Sequence, residues 1–246
     1  GCAHQCIYCD SRSECYQIEN FNDTLVKINV LELLDRELRS KRLIGTIGFG
    51  SMSDPYAPVE RIYNLSGQAL QLIARHGFPV HLITKSDLVV KDLPALLEIS
   101  RTQCTVGFSL STADDALARQ VEPGAPLPSA RLEAMRALSA AGVAAGTIMM
   151  PILPFLEDTP ENIRAIVEQT AAHGGSFIVP WLGMSMRDRQ REYFYAELDR
   201  RFPGLRAKYE QTYGEAYSCP APNACALEQV LKDACRQAGL ALQLPY

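Results

Sequence analysis

Eight cysteines occur among 246 residues, and three of them, Cys2, Cys6 and Cys9, stand within the opening stretch CAHQCIYC. Thiols this close in sequence cannot staple distant elements, but they can converge on one metal centre. Thiolates bind zinc or iron–sulfur clusters, and a structural site of either kind takes four ligands. This loop offers three, so a cubane cluster held by it would keep one iron open for chemistry. The alternative is zinc with His4 as the fourth ligand. Ligand count and spacing favour the cluster: only one residue separates His4 from Cys2 and from Cys6, and Tyr8 has no role at a zinc site. Sites are rarely built on a fraying terminus, so a further segment, a strand, is expected ahead of Gly1.

The elements that must position this loop alternate in period. Lys27 to Leu43 is amphipathic, with Ile28, Leu31, Leu34 and Leu38 on one face. Further helices are expected over Ser66 to His76, Leu93 to Ile99, Ser129 to Ala141, and from Pro160 to Gly174, the last capped by Thr159. Between them lie short apolar runs: Ile44 to Met52, Val80 to Thr84, Thr105 to Leu110, Ala144 to Ile152 and Phe177 to Leu182. Such alternation implies a parallel sheet. Five strands plus the one expected ahead of Gly1 predict a partial (β/α)6 barrel over 1–183. The remainder, 184–246, reads as a C-terminal helical extension packed on it, ending in a helix from Leu227 to Ala238.

Composition narrows the function classes. Hydrophobic residues at 47% and charged residues at 21% exclude a disordered or collagenous chain. A net charge of −4 argues against holding nucleic acid by bulk positive charge. The uncharged run from Ala137 to Leu156 is broken by Gly142, Gly146, Pro151 and Pro154, and reads as helix end, turn and strand, not as a membrane span. No export signal appears, so a reducing cytoplasm is expected.

CAHQCIYC resembles the CxxxCxΦC signature of radical S-adenosylmethionine (radical SAM) enzymes. The likeness extends to their spore photoproduct lyase-like, or DNA repair photolyase-like, branch. It is carried by SMSDPYAPVE (51–60), LITKS (82–86), GFSLST (107–112), EPGAP (122–126) and the AGV…PIL stretch (141–153). This resemblance implies that Cys2, Cys6 and Cys9 ligate a [4Fe-4S] cluster whose open iron is chelated by S-adenosylmethionine. It implies reductive cleavage to a 5′-deoxyadenosyl radical that abstracts a substrate hydrogen. Tyr8 would lie near the adenine, and Ser53, Lys85 and Ser109 around the methionyl and ribose groups. Lys85 suits the methionyl carboxylate. The implied partners are a one-electron donor such as flavodoxin or ferredoxin, and an unidentified substrate for which modified or damaged nucleic acid is the family-level expectation. A peptide or small metabolite is the alternative substrate, and a non-catalytic zinc- or cluster-binding interaction protein the alternative class.

Two departures matter. Ser51 stands where authentic spore photoproduct lyases carry a cysteine hydrogen donor, and Asp10 where they carry an aromatic. Cys219, in the turn-prone YSCPAPNAC, is the candidate replacement donor; a second option groups it with Cys225, Cys235 and Cys15 around an auxiliary cluster. The segment from Arg187 to Lys208 holds seven basic and four acidic residues with interleaved aromatics, and reads as an amphipathic helix covering the barrel.

Overall fold

The computed structural model describes residues 1–245. Helix α1 (Val30–Ser40) leads into strand β1 (Ile47–Phe49), and the short α2 (Glu60–Tyr63) and α3 (Leu65–His76) lead into β2 (Val80–Thr84). Next come α4 (Leu93–Ser100), β3 (Cys104–Ser109), α5 (Asp115–Val121), α6 (Pro128–Ala140), β4 (Ala144–Met149), α7 (Pro160–Ala172) and β5 (Ile178–Pro180). The five strands pair in parallel in sequence order, β1-β2-β3-β4-β5. An order without reversal, joined by crossovers of one hand, puts the helices on one face and lets the sheet curl. The result is a partial α/β barrel. The strand expected ahead of Gly1 lies outside the described residues.

All five sequence-derived strands are present: β2 has the expected range, β3 is shifted by one residue, and β1, β4 and β5 are shorter. Ile44 remains exposed, and β1 begins only at Ile47, where pairing with Val80 starts. β3 is buried along its whole length, as a central parallel strand must be. Local chemistry sets the helix ends: the Thr159 hydroxyl accepts from the Asn162 amide ahead of Pro160, and Asp114 caps α5 through the Ala116 amide. α5 was not legible as a separate helix.

Gly107 on β3 and Gly146 on β4 face each other in register. A Cβ on Gly107 would stand 2.5 Å from the Ile148 side chain, and one on Gly146 would stand 2.4 Å from the Phe177 carbonyl oxygen. The two glycines make room for their neighbours in the sheet centre.

Beyond β5 the chain forms β6 (Gly183–Ser185), α8 (Asp188–Arg201), α9 (Leu205–Tyr213), β7 (Ser218–Pro220) and α10 (Ala224–Ala238). β6 and β7 pair antiparallel, a feature that the sequence reading lacked. The segment read as one amphipathic helix is two, because Phe202, Pro203 and Gly204 interrupt it and Gly204 takes a left-handed backbone. α10 lies against α7, and Ala241 after it makes a parallel bridge to Phe177 at the outer edge of β5. Two apolar cores result. The larger joins the sheet to its helices, including α10. The smaller joins Cys6, Ile7 and Tyr8 to Met186, Phe194, Leu198, Tyr209 and Cys219, so α8 and α9 pack against the cysteine loop. No helix among the described residues is long and apolar enough to cross a membrane.

Candidate active site

The C-terminal ends of β1 to β4 open into a cavity of about 410 Å³. Cys2, Cys6 and Cys9 line it, together with Tyr8, Ser53, Lys85 and Ser109. This is the end of the sheet where barrel enzymes place their chemistry, because the loops there are free to diverge while the strands hold them.

The cysteine loop is fixed by residues far away in sequence. The Ile7 amide donates to the Val121 carbonyl at 2.9 Å, and the Gly124 amide donates to the His4 carbonyl at 2.9 Å. Any Cβ on Gly124 would come within 2.2 Å of the Ala3 carbonyl oxygen, so the glycine of EPGAP permits this close approach. His4 lies 3.1 Å through Nε2 from a carboxylate oxygen of Asp54, and its Nδ1 faces the Gly124 carbonyl at 3.3 Å. Asp54 also accepts from the Thr84 hydroxyl (2.6 Å), the Lys85 amide (2.6 Å) and the Tyr56 amide (2.9 Å). Burial opposes charge on Asp54, but His4, the Lys85 amide and Thr84 outweigh it and hold the carboxyl below its ordinary range. One side chain thereby ties the cysteine loop, the loop after β1 and the end of β2.

A second buried network lies behind Tyr8. Glu122 accepts from the Tyr8 hydroxyl, pairs with Arg131 at 2.5 Å, and stands 3.8 Å from the Lys85 ammonium. Arg131, 1% exposed, also donates to the carbonyls of Ser109 and Pro126, both at 2.8 Å. Burial would neutralise Glu122, but the two cations and the donated hydrogen bonds keep it ionised. Burial likewise works against charge on Lys85, and the neighbouring Cys6 and Glu122 reverse it. Of the two cations around this carboxylate, Lys85 is the one that lines the cavity, where Asp54 also stands.

The far wall differs in character. Ile148, Met150, Pro151 and Met184 are apolar, and Trp181 and Tyr217 stand at the mouth, 41% and 54% exposed. At this rim Asp10 accepts from Arg187 (2.6 Å), Ser185 (3.1 Å) and Tyr16 (3.1 Å). The Arg187 guanidinium lies 5.6 Å from the Tyr16 ring centroid and 5.3 Å from that of Tyr217.

Cys219 is set apart from the seven other sequence-predicted residues. Its thiol is buried in the smaller core, 3.6 Å from the Ala216 carbonyl, and is not among the cavity's lining groups. Burial pushes it up to about 11. Cys235 is buried and Cys225 exposed, and among the described residues no group of three His, Cys, Asp or Glu side chains is drawn together as one metal ion requires. Cys2, Cys6 and Cys9 line one chamber together with the Lys85 ammonium. Three thiols and a cation on one chamber fit an anionic cluster held by three thiolates and a carboxylate-bearing co-substrate.

Sequence reasoning missed Asp54, Glu122 and Arg131 as site residues, and weighed His4 only as a zinc ligand. A signal was present: Asp54 and Glu122 are acidic residues inside SMSDPYAPVE, which also holds Glu60, and EPGAP.

The family model described as the Radical SAM superfamily matches residues 1–172. An uncharacterised protein of Mycobacterium tuberculosis is 34% identical over 222 residues, covering 87% of this chain and 65% of its own length. The chain thus spans just under two thirds of that relative. An uncharacterised protein of Methanocaldococcus jannaschii is 26% identical over 219 residues, covering 88% of this chain and 75% of its own. A protein of Pseudomonas phage M6 named radical SAM Nα-GlyT isomerase is 22% identical over 232 residues, covering 89% and 48%. A spore photoproduct lyase complexed with dinucleoside spore photoproduct has the same fold, at a TM-score of 0.73 and 18% identity over 98% of this chain and 73% of that one. The matched region holds the three cysteines and every strand to β4. The chain belongs to the radical SAM superfamily, whose enzymes use a [4Fe-4S] cluster and S-adenosylmethionine.

Proposed function

We propose that this chain holds a [4Fe-4S] cluster on Cys2, Cys6 and Cys9, cleaves S-adenosylmethionine reductively and abstracts hydrogen from a modified nucleobase or nucleoside. The observation that carries the reading is the convergence of those thiols with Tyr8, Ser53, Lys85 and Ser109 on one cavity. When bound, the cluster supplies the electron that splits the sulfonium and yields a 5′-deoxyadenosyl radical.

The residues around it have separable tasks. Lys85 brings an ammonium from the edge of the Tyr8–Glu122–Arg131 network to the cavity and is suited to pair with the methionyl carboxylate. Tyr8, fixed by Glu122, presents its ring toward the adenine, with Ser53 and Ser109 as hydroxyl partners. Ser109 is spent in part on the Met150 carbonyl at 3.3 Å, which ties the end of β3 to the loop after β4. The apolar wall of Ile148, Met150, Pro151 and Met184 excludes water, which guards a reactive radical against side reactions.

Trp181 and Tyr217 offer faces for stacking at the mouth, and Arg187 stands beside them as a cation. One structural relative, a spore photoproduct lyase complexed with dinucleoside spore photoproduct, points the same way. A net charge of −4 favours a second reading, a peptide or small metabolite. A flavodoxin or ferredoxin would deliver the electron. Cys219 could serve as hydrogen donor only if the β6–β7 pair shifted to turn its thiol into the chamber.

Anaerobic reconstitution tests the reading. Iron and sulfide should bind in cluster stoichiometry, and dithionite with S-adenosylmethionine should give 5′-deoxyadenosine. Bound zinc without deoxyadenosine would overturn it. Nucleosides and short oligonucleotides bearing thymine modifications, compared with peptides, should then raise deoxyadenosine yield selectively.

A further inference from the structure

The segment that follows Cys9 has almost no regular structure of its own. It makes two short 3-10 turns, Asp10–Arg12 and Glu14–Tyr16, in which only Ser11 and Arg12 are buried. Its order comes from elsewhere. Four consecutive residues at the start of α8 reach separate points along residues 8–18. Arg187 donates to Asp10 at 2.6 Å. The Asp188 carboxylate accepts from the Ser13 hydroxyl (2.7 Å) and the Glu14 amide (3.2 Å). Arg189 donates to the carbonyls of Arg12 (2.7 Å) and Ile18 (2.6 Å). Gln190 donates to the Tyr8 carbonyl at 3.0 Å while its own carbonyl oxygen accepts from the Arg187 amide at 3.1 Å. One turn further on, the Tyr193 ring covers the Arg12 guanidinium at 3.7 Å, with Phe21 on the other side at 4.0 Å.

Asp188 holds a backbone φ of +37°, in the left-handed region that Asp enters more readily than most residues, and its carboxylate is held there by Ser13 and Glu14. Arg191, three residues on, faces the opposite way: it donates to the carbonyls of Met186 (3.0 Å) and Ala216 (2.8 Å), and so braces both ends of the β6–β7 pair. That pair supplies Met184, Ser185 and Tyr217 to the chamber. The ligand loop and the substrate-side wall therefore share one anchor.

We propose that the first turn of α8 is a clamp that sets the position of the cysteine loop, with Asp188, Arg189 and Gln190 as positioning residues for Cys6 and Cys9. The proposal rests on the reading of those cysteines as cluster ligands, and makes the C-terminal layer part of the cluster-holding machinery.

Two measurements on the full chain test it. The first is hydrogen–deuterium exchange of the cluster-free protein, followed by mass spectrometry over residues 8–18. The second is the anaerobic rate at which the reconstituted protein gives up iron to an excess of a ferrous chelator. Arg189→Met keeps the side-chain stem and removes both guanidinium bonds. Gln190→Glu keeps the acceptor for the Arg187 amide and removes the donor to Tyr8. Arg206→Met is the control, since Arg206 pairs with Asp199 and Glu210 and lies over the Tyr195 ring, with no contact to residues 8–18 among the described residues.

Losing two bonds to carbonyls should speed exchange in residues 8–18 and iron release by about tenfold in Arg189→Met. Exchange in β4 and α10 should stay at the wild-type rate, and the control should match wild type throughout. Wild-type exchange and iron release in Arg189→Met would overturn the proposal, and so would acceleration spread evenly over the chain. Should Gln190→Glu fail to fold, Arg189→Met still decides. If the wild type binds no iron, the ligand reading fails by itself, while exchange still reports on the clamp.

Discussion

Raising the pH should loosen the loop after β4, because Glu157 lies fully buried there without a cation in contact. Its carboxyl accepts from the Ser111 hydroxyl and from the Leu153 amide, both at 2.8 Å, and Asn162 braces the same corner through the carbonyls of Ser111 and Glu157. Burial, reinforced by the nearby Glu122 charge, outweighs the hydrogen bonds and pushes Glu157 up to about 8 from an ordinary 4.5. The folded protein therefore keeps a proton that the unfolded chain sheds from about pH 4.5 upward. The stabilisation is full below pH 4.5, erodes as pH rises toward 8, and is gone above it. A gap of about 3.5 pH units at about 1.4 kcal/mol each caps the loss at roughly 5 kcal/mol.

Glu157→Gln isolates this group. The amide oxygen can still accept from Leu153, and the side chain cannot ionise. Denaturant unfolding of cluster-free wild type and variant at pH 5, 7 and 9 is the assay, since other titrations are common to both and cancel. The variant should gain on the wild type by several kcal/mol between pH 5 and 9. Parallel stability curves across that range would refute the reasoning.

Three further outcomes are expected. Glu122→Gln leaves Arg131 and Lys85 without their buried partner and should cost about 3 kcal/mol, lowering the thermal midpoint by roughly 6–12 °C; an unchanged melting curve would contradict the network. Lys85→Met should weaken S-adenosylmethionine binding to the reconstituted protein by about 10- to 100-fold in calorimetry, and an unchanged Kd would remove Lys85 as the carboxylate's partner. Cys219→Ala should leave both deoxyadenosine formation and product formation intact, because the thiol faces the smaller core; loss of product with deoxyadenosine retained would restore it as the hydrogen donor.

The barrel was legible because its signals are local. Val80–Thr84 and Thr105–Leu110 read as strands from short, largely apolar, β-rich runs, and Thr159-Pro160 announced a helix start within one turn. The thiol spacing disclosed the centre for the same reason. The partners of Tyr8 and Asp10 were not legible: Glu122 lies 114 residues from Tyr8, and Arg187 lies 177 from Asp10. Periodicity carries no information about which distant charge meets which. The mixed charge of 187–208 was read as an amphipathic helix covering the barrel, yet its first turn spends its polar groups on the cysteine loop. Seven of the eight site residues named from sequence share the chamber, while turn propensity around Cys219 said nothing of the strand pair that buries it.

The glycine at position 107 has a consequence for ligand space. Ile148 reclines into the gap that Gly107 leaves, and Ile148 is also a wall of the chamber. The depth of the well is therefore set in part by a glycine in mid-strand that does not itself line the chamber. Even one methyl there would tip Ile148 upward, and the guest would feel it as a raised floor.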